Sequence, residues 1–154
     1  MQIVRARPED ATRLTEIAFA AKRHWKYPEA WIESWREVLT IKPEFIHNHE
    51  TYLAMIDDRL VGLYAFEYTR GKLELSQMWV LPEAMGRGVG RALFRHAVKR
   101  ARALGFHALE IESDPNAEGF YLRLGARRVG SNFREVEKVR RELPVLIYDF
   151  NEVG

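Results

Sequence analysis

Met85-Gly86-Arg87-Gly88-Val89-Gly90-Arg91 is the segment best equipped for chemistry, and the chemistry it suits is the binding of phosphate. Three glycines let a backbone approach a ligand closely and leave N–H groups open to it. A helical apolar pattern starts at Val89, so the loop feeds a helix N-terminus, where the helix dipole places roughly half a positive charge. Arg87, Arg91, Arg95 and Lys99 follow at intervals of four and draw one basic stripe down that helix. Such a row repels itself by a few tenths of a kcal/mol per pair, a cost that a polyanion near its head offsets. Taken alone, the loop also fits a solvated helix behind a Gly-rich turn. Spacing excludes two other phosphate loops. The GxxxxGK[ST] loop needs a Lys-Ser or Lys-Thr pair, and the chain has neither. The dinucleotide fingerprint GxGxxG needs a third glycine where Arg91 stands.

The elements that must hold this loop can be read on either side of it. Ile3 to Arg7 alternates as a strand, and Pro8-Glu9-Asp10 opens a helix faced by Leu14, Ile17, Ala18 and Ala21. Residues 24–42 are expected to form a second, aromatic-rich helical stretch around Trp31, Trp35, Val38 and Leu39. Tyr52–Ile56 and Leu60–Tyr68 form a hairpin across Asp57-Asp58-Arg59. Arg70-Gly71-Lys72 turns into a third strand, Leu73–Leu81, which Pro82 ends. Val89–Leu104 is a helix with Leu93, Ala97, Ala101 and Leu104 on one face and Gly105 as its stop. Ala108–Ser113 is a strand, Ala117–Leu124 a short helix closed by Gly125, and Arg127–Phe133 and Pro144–Phe150 complete the strands. The order predicts one α/β domain over residues 1–154 with a mixed sheet, hairpins first and a crossover later.

Composition narrows the function classes. The 154 residues contain no cysteine, which removes disulfides, thiolate nucleophiles and Cys-based zinc sites. No apolar run approaches the ~20 residues that span a bilayer, and the N-terminus reads as a strand, so the expected location is cytoplasmic with no membrane partner. The net charge of +2 is uneven. Residues 1–84 hold 11 Lys/Arg against 13 Asp/Glu, whereas residues 85–154 hold 13 against 9, and no acid lies between Ala84 and Leu109. His47-Asn48-His49 lacks the spacing and the third ligand of a metal site, and no metal is expected.

The loop and one downstream segment together resemble the GNAT superfamily, the Gcn5-related N-acetyltransferases. Its signature, Gln/Arg-x-x-Gly-x-Gly/Ala, is met by Gly88 and Gly90, with Met85 in place of the polar residue. Asp114-Pro115-Asn116-Ala117-Glu118-Gly119-Phe120-Tyr121-Leu122-Arg123-Leu124-Gly125-Ala126 is similar to the family's second motif, and the element order matches along nearly the whole chain. The resemblance implies a mostly antiparallel sheet of about six or seven strands flanked by about four helices. It also implies strands that splay between Leu73–Leu81 and Ala108–Ser113. Acetyl-CoA would lie in the gap, its pantetheine arm paired with backbone at Met78, Trp79 and Val80. Its pyrophosphate would sit on the loop, from Met85 and Gly86 through Arg87, Gly88, Val89 and Gly90 to Arg91. Asn116 would touch the pantetheine amide, and Tyr121 would point its hydroxyl at the thioester sulfur. A homodimer is common in the family.

Transfer of acetyl to an amine needs a neutral nucleophile, a stabilised oxyanion and a protonated leaving thiolate. A lysine-like amine with pKa ~10.4 costs roughly 4 kcal/mol to deprotonate at neutral pH. Tyr121 is the expected general acid. Glu74, eleven positions ahead of Met85, matches the catalytic glutamate of the family's histone-acetylating members. Glu74 or water is therefore the expected base, with Glu67 in reserve. Simple alternation places Glu74, Ser76, Met78 and Val80 on one face of their strand and Leu73, Leu75, Gln77 and Trp79 on the other. Trp25 and Tyr27 are candidates for the acceptor site, whose ligand would be a small-molecule or peptide amine, while Trp31 and Trp35 are expected to pack in the core. Two other function classes fit parts of the chain. One is an acyl-CoA-binding sensor without catalysis, which the retained Tyr121 and Glu74 argue against. The other is a nucleic-acid module using the basic helix 87–102, which has no reader motif around it.

Overall fold

In the computed structural model, which describes residues 1–153, one seven-stranded sheet organises the chain. The strands are β1 (Gln2–Arg5), β2 (Thr51–Ile56), β3 (Arg59–Thr69), β4 (Lys72–Val80), β5 (Ala108–Glu112), β6 (Arg127–Val136) and β7 (Val139–Asp149). Their spatial order is β1-β2-β3-β4-β5-β7-β6, and every pair is antiparallel except β4 with β5. The helices are α1 (Ala11–His24), α2 (Glu29–Ser34), α3 (Arg36–Leu39), α4 (Pro43–Asn48), α5 (Val89–Ala103), α6 (Glu118–Leu124) and α7 (Phe150–Val153). None of them is long and apolar enough to cross a membrane.

The core has two halves because the central strand is buried on both faces. Along β3, Leu63 joins Leu14, Ile17, Ala18 and Leu53 beneath α1. Tyr64 and Phe66 face the other way and pack with Phe94, Ala97 and Ala101 of α5 and with Leu109, Ile111, Tyr121 and Leu146. The result is three layers, helix on sheet on helix. Each fully buried aliphatic side chain in these clusters contributes about 1.5–3 kcal/mol relative to exposure.

The helical stretch expected over residues 24–42 is in fact two short helices, α2 and α3, with a third, α4, just beyond it. Pro28 caps α2, Trp35 breaks the chain with φ −93° and ψ 5°, Thr40 is extended, and Pro43 restarts α4. Proline removes a donor and fixes φ, so each Pro begins a helix and interrupts what precedes it. His47 and Asn48 lie at the end of α4 and not in a loop, and the His49 ring packs on Phe45. The last hairpin is longer than the sequence indicated, because residues 134–143 also pair. Its turn uses Glu137 and Lys138, both with positive φ, where an Asn-Gly signal is usual.

Two features of β4 shape everything that follows. Against β3, Ala65 stands opposite Gln77 but Phe66 opposite Leu75, so Ser76 is an extra residue in a bulge. The bulge overturns simple alternation. Leu73, Leu75 and Met78 pack on the α5 side, and Trp79 packs on the α1 side. Glu74 therefore shares a face with Gln77 and Trp79 instead of with Met78. Against β5, the described register is a single pair, Glu74 with Glu110. Beyond it the two strands part, which is the expected splay.

Candidate active site

The divergence of β4 from β5 opens a cleft of about 540 Å³. Met78, Trp79 and Val80 form one wall; their strand pairs with Tyr64, Leu63 and Gly62 on the far side and has no described β5 partner on the cleft side. Backbone groups along that edge are thus available to an extended ligand, since an unpaired strand edge is a template for hydrogen bonding.

The glycine loop closes one end. Gly86 and Gly88 have φ of +78° and +82°, a region that costs any L side chain energy, and Gly88 is the N-cap of α5. The first α5 bond runs from the Ala92 amide to the Gly88 carbonyl, so the amides before it, through Arg91, have no partner inside the helix. Met85, Gly86, Gly88, Val89, Gly90 and Arg91 line the cleft, and Arg87 does not. Gly90 has a packing role: a Cβ there would stand 3.2 Å from the Phe120 ring, so a larger residue would require α6 to give by a few tenths of an ångström. Arg91 and Arg123 also line a second cavity of about 400 Å³ with Arg95, Lys99 and Arg102. The cleft therefore continues into a basic pocket that, among the described residues, no acidic side chain lines.

Tyr121 and Asn116 line the wall facing β4. The Tyr121 ring packs against Phe120 and Phe94, with centroids at 5.0 and 5.9 Å. Burial pushes its phenol above the ordinary range, so it keeps its proton at neutral pH. Asn116 sits in a network of buried charge. Its side-chain amide donates to the Tyr27 hydroxyl and to Asp114 Oδ1, both at 3.0 Å. The Tyr27 hydroxyl donates to the Asp114 carboxylate at 3.0 Å and accepts from Arg141 at 2.8 Å, while the Lys22 ammonium lies 2.7 Å from Asp114 Oδ2. Burial works to raise the Asp114 pKa, but the Lys22 ammonium and the surrounding donors prevail, and the net shift is downward. Burial lowers the Lys22 pKa despite Asp114. Tyr27 is pushed up to about 12 by burial and by the carboxylate beside it.

Trp25, a candidate for the acceptor site, lines the cleft. Tyr27 does not line it: its ring stacks on Trp31 at 5.8 Å and meets Trp35 edge-on at 5.1 Å, so the three rings form one aromatic cluster beside the cleft, joined to it through the Tyr27 bonds to Asp114 and Asn116. Trp35 packs against the α1-side core as expected.

Glu74 lies at the closed end of the splay and does not line the cleft. Glu67, Glu74 and Glu110 stand in one cross-strand row. Burial raises the Glu74 pKa first, and Glu67, Glu112 and Glu110 raise it further against Arg134. Sequence reasoning missed Glu112, which does line the cleft. Its carboxylate is gripped by Arg134 at 3.0 and 3.1 Å. The alternation of Leu109 and Ile111 inward was the signal that set Glu110 and Glu112 on the opposite face. Among the described residues no group of three His, Cys, Asp or Glu is placed to hold a metal.

A splayed sheet with a glycine-capped helix N-terminus at the gap defines the class of acyl-CoA-dependent transferases. The model of the acetyltransferase (GNAT) family matches residues 13–126, and the chain belongs to that family, whose acyl donor is acetyl-CoA. No curated protein matches the sequence. Solved structures share the fold at low identity. A GCN5-related N-acetyltransferase from Rhodopseudomonas palustris superposes with TM-score 0.80 at 20% identity, covering 96% of this chain and 94% of that one. The PaiA N-acetyltransferase of Thermoplasma acidophilum, solved with coenzyme A, gives 0.75 at 19%, covering 96% and 98%. YncA of Salmonella typhimurium, solved with acetyl-CoA, gives 0.69 at 19%, covering 97% and 94%.

Proposed function

We propose that the chain is an N-acetyltransferase that passes acetyl from acetyl-CoA directly to a primary amine of a small molecule or peptide within a ternary complex. The observation that carries this reading is the convergence on one cleft of three features: the open β4 edge, the unpaired α5 amides, and Tyr121 with Asn116 on the facing wall. The pantetheine arm would pair with Met78–Val80 and meet Asn116, and the pyrophosphate would rest on the amides after Gly88. The nucleotide phosphates would continue toward Arg91, Arg123 and the basic pocket beyond them. The same demand for a polyanion accounts for a basic stripe that a nucleic-acid reader would otherwise need.

In the reaction the amine nitrogen attacks the thioester carbonyl carbon, the C–S bond breaks, and the products are an amide and a thiol. One proton leaves the amine for a carboxylate or water, and the sulfur departs as a thiolate that takes its proton through Tyr121 or, on release, from solvent. Tyr121, protonated at neutral pH as an ordinary phenol is and held more firmly so by burial, supplies a donor to the charge that develops on sulfur. Its raised pKa makes full transfer to a thiolate of pKa ~8.5 uphill, so the hydrogen bond carries most of its effect. Glu74, with its raised pKa, or water is the proposed base; the position of Glu112 on the cleft wall favours it as a second candidate.

Calorimetric titration with acetyl-CoA, free CoA and dephospho-CoA tests the reading. Binding of acetyl-CoA in the micromolar range, weaker binding of dephospho-CoA, and thiol release with an amine panel are expected. Folded, ligand-free protein that binds none of the three would overturn it.

A further inference from the structure

We propose that Asp114 and Tyr27 are positioning residues. Together they form a latch that sets the Asn116 side chain toward the acyl donor and ties the aromatic acceptor wall to it, so that donor binding and closure of that wall are one equilibrium. The inference rests on the reading that Asn116 meets the pantetheine arm.

Hydrogen-bond valence carries the argument. A tyrosine hydroxyl has one proton and two lone pairs. In Tyr27 the proton goes to Asp114, and the lone pairs take the Arg141 guanidinium at 2.8 Å and the Asn116 amide at 3.0 Å, which leaves the hydroxyl full. Asp114 can only accept, and it receives Lys22, Tyr27, and the backbone and side-chain N–H groups of Asn116. Both groups that face the end of Asn116 are thus acceptors toward it, so that end must be the NH₂. The side-chain carbonyl of Asn116 is the group left to take an N–H from a ligand. Asn116 is itself exposed on the cleft. Its orientation is therefore held by Tyr27, which does not line the cleft, and by Asp114, whose carboxylate oxygens are already taken by Lys22, Tyr27 and Asn116.

The same residues staple the acceptor wall. The Lys22 ammonium lies 4.4 Å from the Trp35 ring centroid and 5.1 Å from that of Tyr27. The Arg141 guanidinium lies 4.9 and 5.0 Å from the same two rings. Lys22 comes from α1, Tyr27 from the α1–α2 connection, Asp114 from the β5–α6 connection and Arg141 from β7. Four separate parts of the chain thus meet at one carboxylate. The side chains of Lys22, Arg141 and Asp114 are each only 11–12% exposed. Charges so placed are costly to leave unpaired, which makes the latch an all-or-none contact. A hydrogen bond accepted at the Asn116 carbonyl polarises its NH₂ and strengthens the bond to Tyr27. Donor binding therefore tightens the hold on the wall formed by Tyr27, Trp31 and Trp35.

A double-mutant cycle on acetyl-CoA affinity tests this, with wild type, Tyr27→Phe, Asn116→Ala and the double variant titrated in parallel and their melting temperatures recorded. A residue acting through Asn116 has no effect once Asn116 is gone. Tyr27→Phe should weaken acetyl-CoA binding about five- to tenfold in the wild-type background, the range for one hydrogen bond, and less than twofold in Asn116→Ala. Equal losses in both backgrounds, or no loss in either, would show Tyr27 to be packing alone and overturn the latch. Should Tyr27→Phe not fold, Arg141→Met enters the same cycle, since it removes the donor to the Tyr27 hydroxyl. Amide exchange supplies a second readout: acetyl-CoA should slow exchange over residues 26–36 in wild type and leave it unchanged in Asn116→Ala. Wild-type protein that binds no acetyl-CoA would overturn both this latch and the proposed function. Binding with an additive cycle would overturn the latch alone.

Discussion

Tyr121 lines the cleft with its ring packed between Phe94 and Phe120, and that burial both fixes its position and keeps its proton in place. Removing the hydroxyl leaves the ring packing intact, so Tyr121→Phe should lower kcat by about 10²-fold, the typical worth of a positioned proton donor, with acetyl-CoA affinity little changed. Stopped-flow thiol release with parallel calorimetry checks both halves, and an undiminished kcat would remove Tyr121 from the chemistry. The two carboxylate candidates separate on pH. The Glu74 pKa is raised in the folded protein, by burial first and then by its glutamate neighbours. If Glu74 is the base, the acid limb of kcat/KM should lie above the ordinary carboxylate range of ~4.3. Glu74→Gln should then abolish that limb while Glu112→Gln leaves it in place. The reverse pattern would assign the base to Glu112, which lines the cleft itself.

Among the elements, α5 does the most to make the site, and it depends on how it begins. Gly88 stands at its N-cap with φ +82°, and the space around it is open, so no clash within the protein bars a side chain. The barrier is conformational: an L residue in that region costs about 1–2 kcal/mol and a β-branched one more. Gly88→Val should therefore unwind the first turn, misplace the amides that face the cleft, and weaken acetyl-CoA binding by at least tenfold while α5 remains helical. Calorimetry with circular dichroism checks this; wild-type affinity would show that the loop geometry is not what holds the donor. Gly90 meets a different limit, because its neighbour is the Phe120 ring at 3.2 Å and not its own backbone. Similar sequence signals thus arise from two causes, dihedral freedom at Gly88 and close approach at Gly90.

At the scale of the whole molecule, the α5 face of the sheet carries a half-buried polar cluster that runs from Tyr64 in the core out to the surface. Tyr64 shares a hydrogen bond of 2.7 Å with Nδ1 of His96, stacks on Tyr52 at 5.2 Å, and Tyr52 donates to Glu50, which Arg100 grips at 2.6 and 3.0 Å. Burial, with Lys99 and Arg100 nearby, lowers the His96 pKa below its usual value of ~6.5. The folded state therefore binds the proton less readily than the unfolded chain. The stability this contributes is full above about pH 6.5 and is lost as pH falls through that value toward the folded pKa. Melting temperature between pH 8 and pH 5 should fall more steeply in wild type than in His96→Gln, and parallel curves would contradict the assignment.

The glycine loop, the Asn116–Tyr121 motif and the order of elements could all be read from the chain, because each rests on local chemistry. A helix start, a turn and a strand period involve residues within a few positions of one another. The family and the fold class followed from these. Long-range facts could not be read in this way. The bulge at Ser76 depends on pairing with Ala65 and Phe66, and it decides which face Glu74 occupies. The division of residues 24–42 into short helices and the length of the β6–β7 hairpin were hidden for related reasons. The apolar period ran on past the breaks in the first, and no turn or alternation signal marked the charged ribbon of the second. The network of Lys22, Tyr27, Asp114, Asn116 and Arg141 joins positions as much as 114 residues apart. Each member read alone looks like a surface residue, and only the packing of α1, β5 and β7 around the cleft brings them together and nearly buries Lys22, Asp114 and Arg141. Local propensity therefore determined what most of the elements are and where the glycine-capped helix begins. Tertiary packing decided which carboxylates reach the cleft and what ties the aromatic cluster of Tyr27, Trp31 and Trp35 to it.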